Sequence, residues 1–163
     1  MSKVLSVDQS TRCSGYCLVE DSEYVCSGVV DLSKSDLETP ERSFEMAKAI
    51  WKLIKHHKPT HLVIEDVQNQ SSTKTVIILA RLQGLIIGYA EAHGVETHIL
   101  APTTWRRELN YRQGPKVKRA ELKQQSLDYV ENKYGFVKPE DESEAIALND
   151  AARRKLGLDD MWE

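Results

Sequence analysis

Apolar and polar positions along this chain repeat with two different periods, and the changes between them mark out the elements. Residues 3–8, Lys3-Val4-Leu5-Ser6-Val7-Asp8, form a short apolar run with a small polar exit at Gln9-Ser10-Thr11, which predicts a strand. Two further runs, 14–20 and 23–31, are rich in Val, Tyr and Cys and are separated by Asp21-Ser22, the pattern of an antiparallel hairpin. At Thr39 the period becomes helical. Thr39 is suited to an N-cap and Pro40 to the first helical position. Ala47, Ile50, Trp51 and Ile54 then recur at helical spacing to about His57, and Pro59 blocks continuation. A strand over 61–66 follows. Ser71-Ser72 opens a helix over 73–93 that ends at Gly94. Val76, Ile77, Leu79, Ala80, Leu82, Ile86 and Tyr89 cover so much of its circumference that deep burial is expected, with Gly84 and Gly88 permitting close approach to a neighbour. A strand over 95–100 comes next, then a short helix capped by Thr103 and running through Leu109, and a loop from Asn110 to Pro115. A helix over 117–133 carries Ala120, Leu127, Val130 and Tyr134 on one side. The last helix runs from about Glu142 to Leu156.

Three consecutive strands, then helix and strand in alternation, predict an α/β fold with a five-stranded mixed sheet flanked by helices, in one domain spanning 1–163. The second strand is the antiparallel one, and strands 1, 4 and 5 pair in parallel through right-handed crossovers. With strand 1 beside strand 4, Asp8 and Glu65 meet at their carboxyl ends, where open α/β sheets place ligands.

Carboxylates ending apolar strands are costly unless compensated, and several converging on one point repel one another and call for a cation. Asp141 and Glu144 are three apart and share a helix face with Ala145, Leu148 and Ala152, so that helix can lie on the sheet with its acidic end over Asp8 and Glu65. Acidic residues in a first turn also simply complement the helix dipole. Glu142 lies about 100° round from Asp141 and is expected at the surface. An all-oxygen set of this kind suits Mg²⁺ or Mn²⁺ rather than zinc, and its chemistry is metal-assisted phosphodiester hydrolysis.

Composition narrows the field. The chain has 163 residues, 40% hydrophobic and 29% charged, as ordinary globular domains do. No apolar run is read as reaching transmembrane length, and Met1-Ser2-Lys3-Val4 leads directly into a strand without a signal sequence, so a cytoplasmic location and no membrane contact are expected. Three cysteines, Cys13, Cys17 and Cys26, are read as buried free thiols. His56, His57, His61, His93 and His98 show no metal-ligand spacing and are expected at the surface or at strand edges. The net charge is −3, but its distribution is uneven. Pro102 to Lys138 holds nine basic and four acidic residues, whereas Pro139 to Glu163 holds three basic and eight acidic ones. A basic band beside an acidic cluster is what a metal-dependent nuclease needs, although a solvated charged face reads the same way.

With these motifs in order, the chain resembles the RuvC-type Holliday junction resolvases (crossover junction endodeoxyribonucleases) of the RNase H-like/integrase superfamily, in their short phage-encoded branch. Val7-Asp8-Gln9-Ser10 with Gly15-Tyr16 resembles the first acidic motif and Val63-Ile64-Glu65-Asp66-Val67 the second. Asp141-Glu142-Ser143-Glu144-Ala145 resembles the C-terminal Asp-x-x-Asp-Ala motif, with Glu144 in place of the more usual aspartate. Thr104-Trp105-Arg106, Gly114 and Lys116-x-Lys118-Arg119 resemble the basic stretch between them. The resemblance implies an RNase H-like fold and a homodimer that nicks branched DNA at four-way junctions during recombination, repair or phage DNA processing. It implies a Mg²⁺ requirement (Mn²⁺ as substitute), with Asp8, Glu65, Asp141 and Glu144 as catalytic metal ligands and products bearing 5′-phosphate and 3′-hydroxyl ends. Paired divalent ions about 4 Å apart would clamp the scissile phosphate. Arg106, Lys116, Lys118, Arg119 and Lys123 are the DNA-binding candidates. Where the family places a stacking aromatic after the second acidic residue, Gln68 and Asn69 stand. The helix over 73–93 is the candidate dimer interface. Two other readings remain. One is a branched-nucleic-acid binding module without activity. The other is a nucleotide-binding fragment of the sugar-kinase and Hsp70 type, suggested by Asp8-x-Ser10-Thr11, for whose second lobe the chain is too short.

Overall fold

The computed structural model describes residues 1–68 and 72–159; Asn69, Ser71, Asp160 and Glu163 lie outside them. The elements follow the order β1 (Lys3–Asp8), β2 (Cys13–Glu20), β3 (Glu23–Asp31), α1 (Thr39–His57), β4 (His61–Glu65), α2 (Thr73–Ala92), β5 (Glu96–Leu100), α3 (Pro102–Glu108), α4 (Arg119–Tyr134) and α5 (Glu140–Leu156). The strands form one five-stranded sheet in the order β3-β2-β1-β4-β5. β2 runs antiparallel to β1 and β3, while β4 is parallel to both β1 and β5. This is the mixed sheet that the sequence predicts. The β2–β3 turn is tight because Asp21 and Ser22 both take left-handed conformations (φ 49° and 69°), the geometry that matches strand twist in a two-residue hairpin.

Alternation along the strands sorts residues onto two faces. Leu5, Val7, Leu18, Leu62 and Ile64 point to the face covered by α1 and α2, against Met46, Ile50, Ile54, Leu82 and Ile86. Val4, Cys17, Val19, Val63 and Leu100 point to the other face, against Trp105, Ala145, Ile146, Ala147 and Leu148. Asp8 and Glu65 follow the parity of Val4 and Val63, so both carboxylates lie on the α5 side.

α5 is the central helix of that side. Every residue from Glu142 to Arg153 is buried, because the sheet lies beneath it and α3 and α4 flank it. Polar groups fix its position. Ser6 Oγ donates to the Ala145 carbonyl (2.6 Å). Asn149 Nδ2 donates to the carbonyls of Val4 (3.0 Å) and Cys17 (3.1 Å). Each such bond contributes about 1 kcal/mol net, and losing one partner leaves a buried polar group unsatisfied at a cost of about 1–3 kcal/mol.

Several expectations are corrected. Glu38 holds the N-cap position of α1 without a side-chain bond, with Thr39 already helical, and Ala101 holds that of α3, with Pro102 rather than Thr103 opening it. In α2 the Ser72 side chain does cap, accepting from Thr75 N–H. However, only Leu82, Gln83, Ile86 and Ala90 of this helix are buried. α2 packs at the sheet margin against α1 and β5, so half its circumference faces outward. Ile77 is 44% exposed, and nothing lies within 4 Å of where a Cβ on Gly84 or Gly88 would stand. By length and mean hydropathy (1.4), α2 would also pass as a membrane span, contrary to the sequence expectation. Its two ends are nevertheless tied to neighbouring parallel strands, so it lies along the sheet. α4 starts at Arg119, and Ala120 is exposed rather than on its buried side. α5 starts at Glu140, after Pro139.

Candidate metal centre and nucleic-acid cleft

Each acidic residue reaches the site by a separate local logic. Asp8 ends β1, and Val7 pairs with Ile64, which brings Glu65, the last residue of β4, alongside. The Glu65 carbonyl accepts from Gln83 Nε2 of α2 (2.9 Å). Its carboxylate Oε2 accepts from the indole N–H of Trp105 (2.7 Å), a fully buried residue of α3. Asp141 and Glu144 lie in the first turns of α5. That end of the helix comes so close to β2 that a Cβ at position 15 would fall 1.9 Å from the Asp141 carbonyl oxygen, so Gly15 is what admits the helix. Glu144 Oε2 accepts from Ser126 Oγ (3.1 Å), and Ser126 in turn bonds the Tyr111 hydroxyl (2.8 Å).

These four carboxylates line one cleft of about 570 Å³ together with Gln9, Gln68, Arg106, Arg119 and Lys123. Arg106 lies over the Trp105 ring at 5.1 Å, with its Nη2 3.7 Å from Glu144 Oε1. Lys123 Nζ pairs with Glu140 (3.2 Å). The structure therefore brings together the four predicted metal ligands and three of the five predicted DNA-binding cations. Lys116 and Lys118 stand exposed outside the lining of the cleft.

The electrostatics are those of crowded acids with too little compensation. Burial, and then the charges of Glu65, Glu144 and Asp141, push the Asp8 carboxyl well above its usual range. Burial raises Glu65, while the Trp105 hydrogen bond and the Arg106 and Arg119 charges pull it down. Burial lifts Glu144 to about 7, against the opposing charge of Arg106 and with Glu65 adding to the rise. Burial, and then the neighbouring Asp141, push the Cys13 thiol up to about 12. A cation bound among carboxylates held this way displaces their protons to solvent, and an all-oxygen donor set selects a hard one.

Three readings of individual residues change here. Glu142 is not a surface residue. It is 7% exposed, accepts from Ser27 Oγ (2.5 Å) and pairs with Lys138 (3.5 Å), so it anchors α5 to β3. Of the thiols, Cys17 is buried, while Cys13 and Cys26 are half-buried; all three are free. The histidines do hold a ligand-like arrangement. Among the described residues, His61, Glu96 and His98 form a set of donors within 4.8 Å of one another. Trp105 belongs to a motif that the sequence marks only as part of the basic stretch, and Ser126 to none; their roles in orienting Glu65 and Glu144 emerge from the structure. The one available signal was the indole N–H of Trp105, which needs a partner once the ring is buried.

Comparison with known proteins agrees with this geometry. The family model described as crossover junction endodeoxyribonuclease RuvC matches residues 4–149. The RuvC of Syntrophomonas wolfei is 23% identical over 150 residues, covering 90% of this chain and 85% of that protein. The RuvC of Fusobacterium nucleatum is 27% identical over 151 residues, covering 90% and 77%. Among solved structures, Thermus thermophilus RuvC in complex with Holliday junction substrate superposes with a TM-score of 0.74 at 13% identity, over 97% of this chain and 96% of that one. The yeast mitochondrial Holliday junction resolvase gives 0.58 at 18% identity, over 94% and 78%. At these identities the superpositions establish a shared α/β fold, that of the RNase H-like RuvC structures.

Proposed function

Because the chain belongs to the RuvC family of crossover junction endodeoxyribonucleases, we propose that it resolves four-way DNA junctions, and cuts other branched DNA, by paired hydrolytic nicks. Asp8, Glu65, Asp141 and Glu144 are its metal ligands, and Mg²⁺, with Mn²⁺ as a substitute, is its ion. The observation that carries this reading is the single cleft in which these four carboxylates face Arg106, Arg119 and Lys123. The donor set fits a hard divalent ion. Asp8 is destabilised by the three other carboxylates around it, and a cation among them turns that repulsion into attraction. When bound, such an ion supplies Lewis acidity that lowers the pKa of an attacking water and offsets charge on the leaving 3′ oxygen.

The chain's own groups do the positioning. The Trp105 N–H fixes the orientation of Glu65, and the Ser126 hydroxyl fixes that of Glu144. The Ser6 and Asn149 bonds hold α5, and with it Asp141 and Glu144, against the strand that ends in Asp8. Arg119 and Lys123 hold DNA phosphate beside the carboxylates, and Lys116 and Lys118 extend that contact beyond the cleft. Phosphate contacts of this kind position a duplex without reading its sequence. The active form is a homodimer, which presents two such sites to symmetric strands, and the outward face of α2 around Ile77, Gly84 and Gly88 is its contact surface. The compact basic segment from Lys116 to Lys123 resembles that of the phage-encoded branch, and this supports a role on recombination and repair intermediates in a host cytoplasm.

The test is a nicking assay on synthetic four-way junctions and linear duplex, with and without Mg²⁺. Symmetric nicks in the junction that depend on Mg²⁺ are expected. Asp8→Asn and Glu65→Gln should bind the junction without cutting it. Full activity in excess EDTA would remove the metal assignment, and junction binding by the wild type without any cutting would make the protein a binding module.

A further inference from the structure

The β4–β5 edge carries a second donor set, at the opposite end of the strands from the cleft. β4 and β5 pair in parallel with His61 opposite Glu96 and Val63 opposite His98. Residues two apart on a strand share a face, so His61, Glu96 and His98 converge on one side of the sheet. His61 Nδ1 lies 3.1 Å from His98 Nε2 and 3.5 Å from Glu96 Oε2. His98 Nε2 lies 3.8 Å from Glu96 Oε1. Donors bonded to a tetrahedral zinc ion at about 2.0–2.1 Å stand about 3.3 Å from one another, and the observed spacings bracket that value. Two ring nitrogens and a carboxylate aimed at one point need a positive charge there, whether a proton or a metal. The imidazole side chains are 17% exposed and that of Glu96 is 67% exposed, so an ion can enter and keep a water as its fourth ligand. Glu65 lies four residues along β4 from His61, about 13 Å away at the rise of a strand, so this set shares no ligand with the cleft.

We propose that His61, Glu96 and His98 bind one divalent ion of the zinc type. Two imidazoles and one carboxylate suit Zn²⁺ and give Mg²⁺ little, whereas the all-oxygen cleft has the reverse preference. The two sites are therefore chemically sorted within one chain. The ion clasps β5, the edge strand of the sheet, to β4. β5 leads directly into α3, which carries Trp105 and Arg106, so zinc at the edge steadies the element that orients Glu65 without taking part in the chemistry.

The test uses the full chain in excess Mg²⁺, which occupies the cleft, with Zn²⁺ titrated against a chromogenic chelator and Co²⁺ read by its visible bands. One equivalent bound with a Kd of about 10 µM or tighter is expected, with the intense visible bands of a four-coordinate Co²⁺ site. His98→Ala should weaken binding at least about tenfold. Glu96→Gln, at an exposed position that leaves the fold intact, should do the same, while Asp8→Asn should leave the affinity unchanged. The inference is overturned if the wild type holds no equivalent in Mg²⁺, if Glu96→Gln and His98→Ala bind as the wild type does, or if the equivalent disappears with Asp8→Asn. In any of these cases the 3.1 Å contact is a hydrogen bond between imidazoles and nothing more.

Discussion

Replacing Glu144 with glutamine should make the metal-free protein more stable at neutral and alkaline pH, not less. In the folded chain the Glu144 carboxyl titrates at about 7 instead of the ordinary 4.5, chiefly through burial. The unfolded chain has the ordinary value, so between the two the folded state holds the extra proton. The contribution of this group to stability is complete below about 4.5 and is lost as pH rises through about 7. The difference corresponds to roughly 3 kcal/mol at about 1.4 kcal/mol per pH unit. Glutamine removes the charge and keeps an acceptor for Ser126; the attraction of Arg106, 3.7 Å away, is already contained in the value of about 7. A net gain of about 1–3 kcal/mol at pH 8 remains, or about 3–10 °C in Tm for a domain of this size. Thermal unfolding followed by circular dichroism from pH 5 to pH 8.5, in chelator, measures it. The wild type should lose stability across this range while Glu144→Gln declines less, the two converging near pH 5. Millimolar Mg²⁺ at pH 8 should raise the wild type more than the variant. Parallel curves, or a variant less stable at pH 8, would refute the claim that the fold stores this charge at a cost.

Three other outcomes follow from single contacts. Trp105→Phe keeps the buried ring but removes the N–H that holds Glu65, and second-layer losses of this type cost about 10–100-fold in activity or metal affinity; single-turnover nicking with little change in Tm is the expected result. Arg119→Ala and Lys123→Ala should each reduce the salt dependence of junction binding by about one unit of slope, and Lys116→Ala with Lys118→Ala together by about one unit per lost contact, without changing cleavage at saturating DNA; unchanged slopes would move the DNA path elsewhere. Ile77→Asp, on the outward face of α2, should convert a dimer into a monomer in analytical ultracentrifugation while leaving the circular dichroism spectrum intact, and a dimer that persists would place the interface on another face.

Much of this molecule is readable before any coordinates. Apolar runs ending in Asp8 and Glu65 specify two strands whose carboxyl ends carry charge, and the chain's order of strands and helices specifies the parallel neighbours that bring those charges together. The spacing of Asp141 and Glu144 specifies the face of α5 that must meet them. What stayed hidden depends on which element covers which. α2 has an apolar composition around most of its surface, yet it lies at the margin of the sheet, so composition overstated its burial. The angle of Glu142 on its helix points it to solvent, but β3 reaches under that side and supplies Ser27. The Trp105–Glu65 bond joins positions 40 apart, and the His61–His98 contact depends on a strand register that no local pattern records.

The position of α5 has a consequence for the life of the chain before it is complete. Ser6 is bonded to a residue 139 positions later, and Val4 to one 145 positions later. The first strand thus waits for the last helix, and half of the acid cluster arrives with it. Contacts of such long range form late, and a chain emerging from the ribosome exposes β1 and β4 long before Asp141 and Glu144 have been synthesised. A stalled or truncated product that ends before α5 therefore carries the basic segment with Asp8 and Glu65 but without Asp141 and Glu144. If the four carboxylates act as the proposed metal ligands, synthesis itself is the safety catch, since a fragment lacking α5 holds only Asp8 and Glu65 of them.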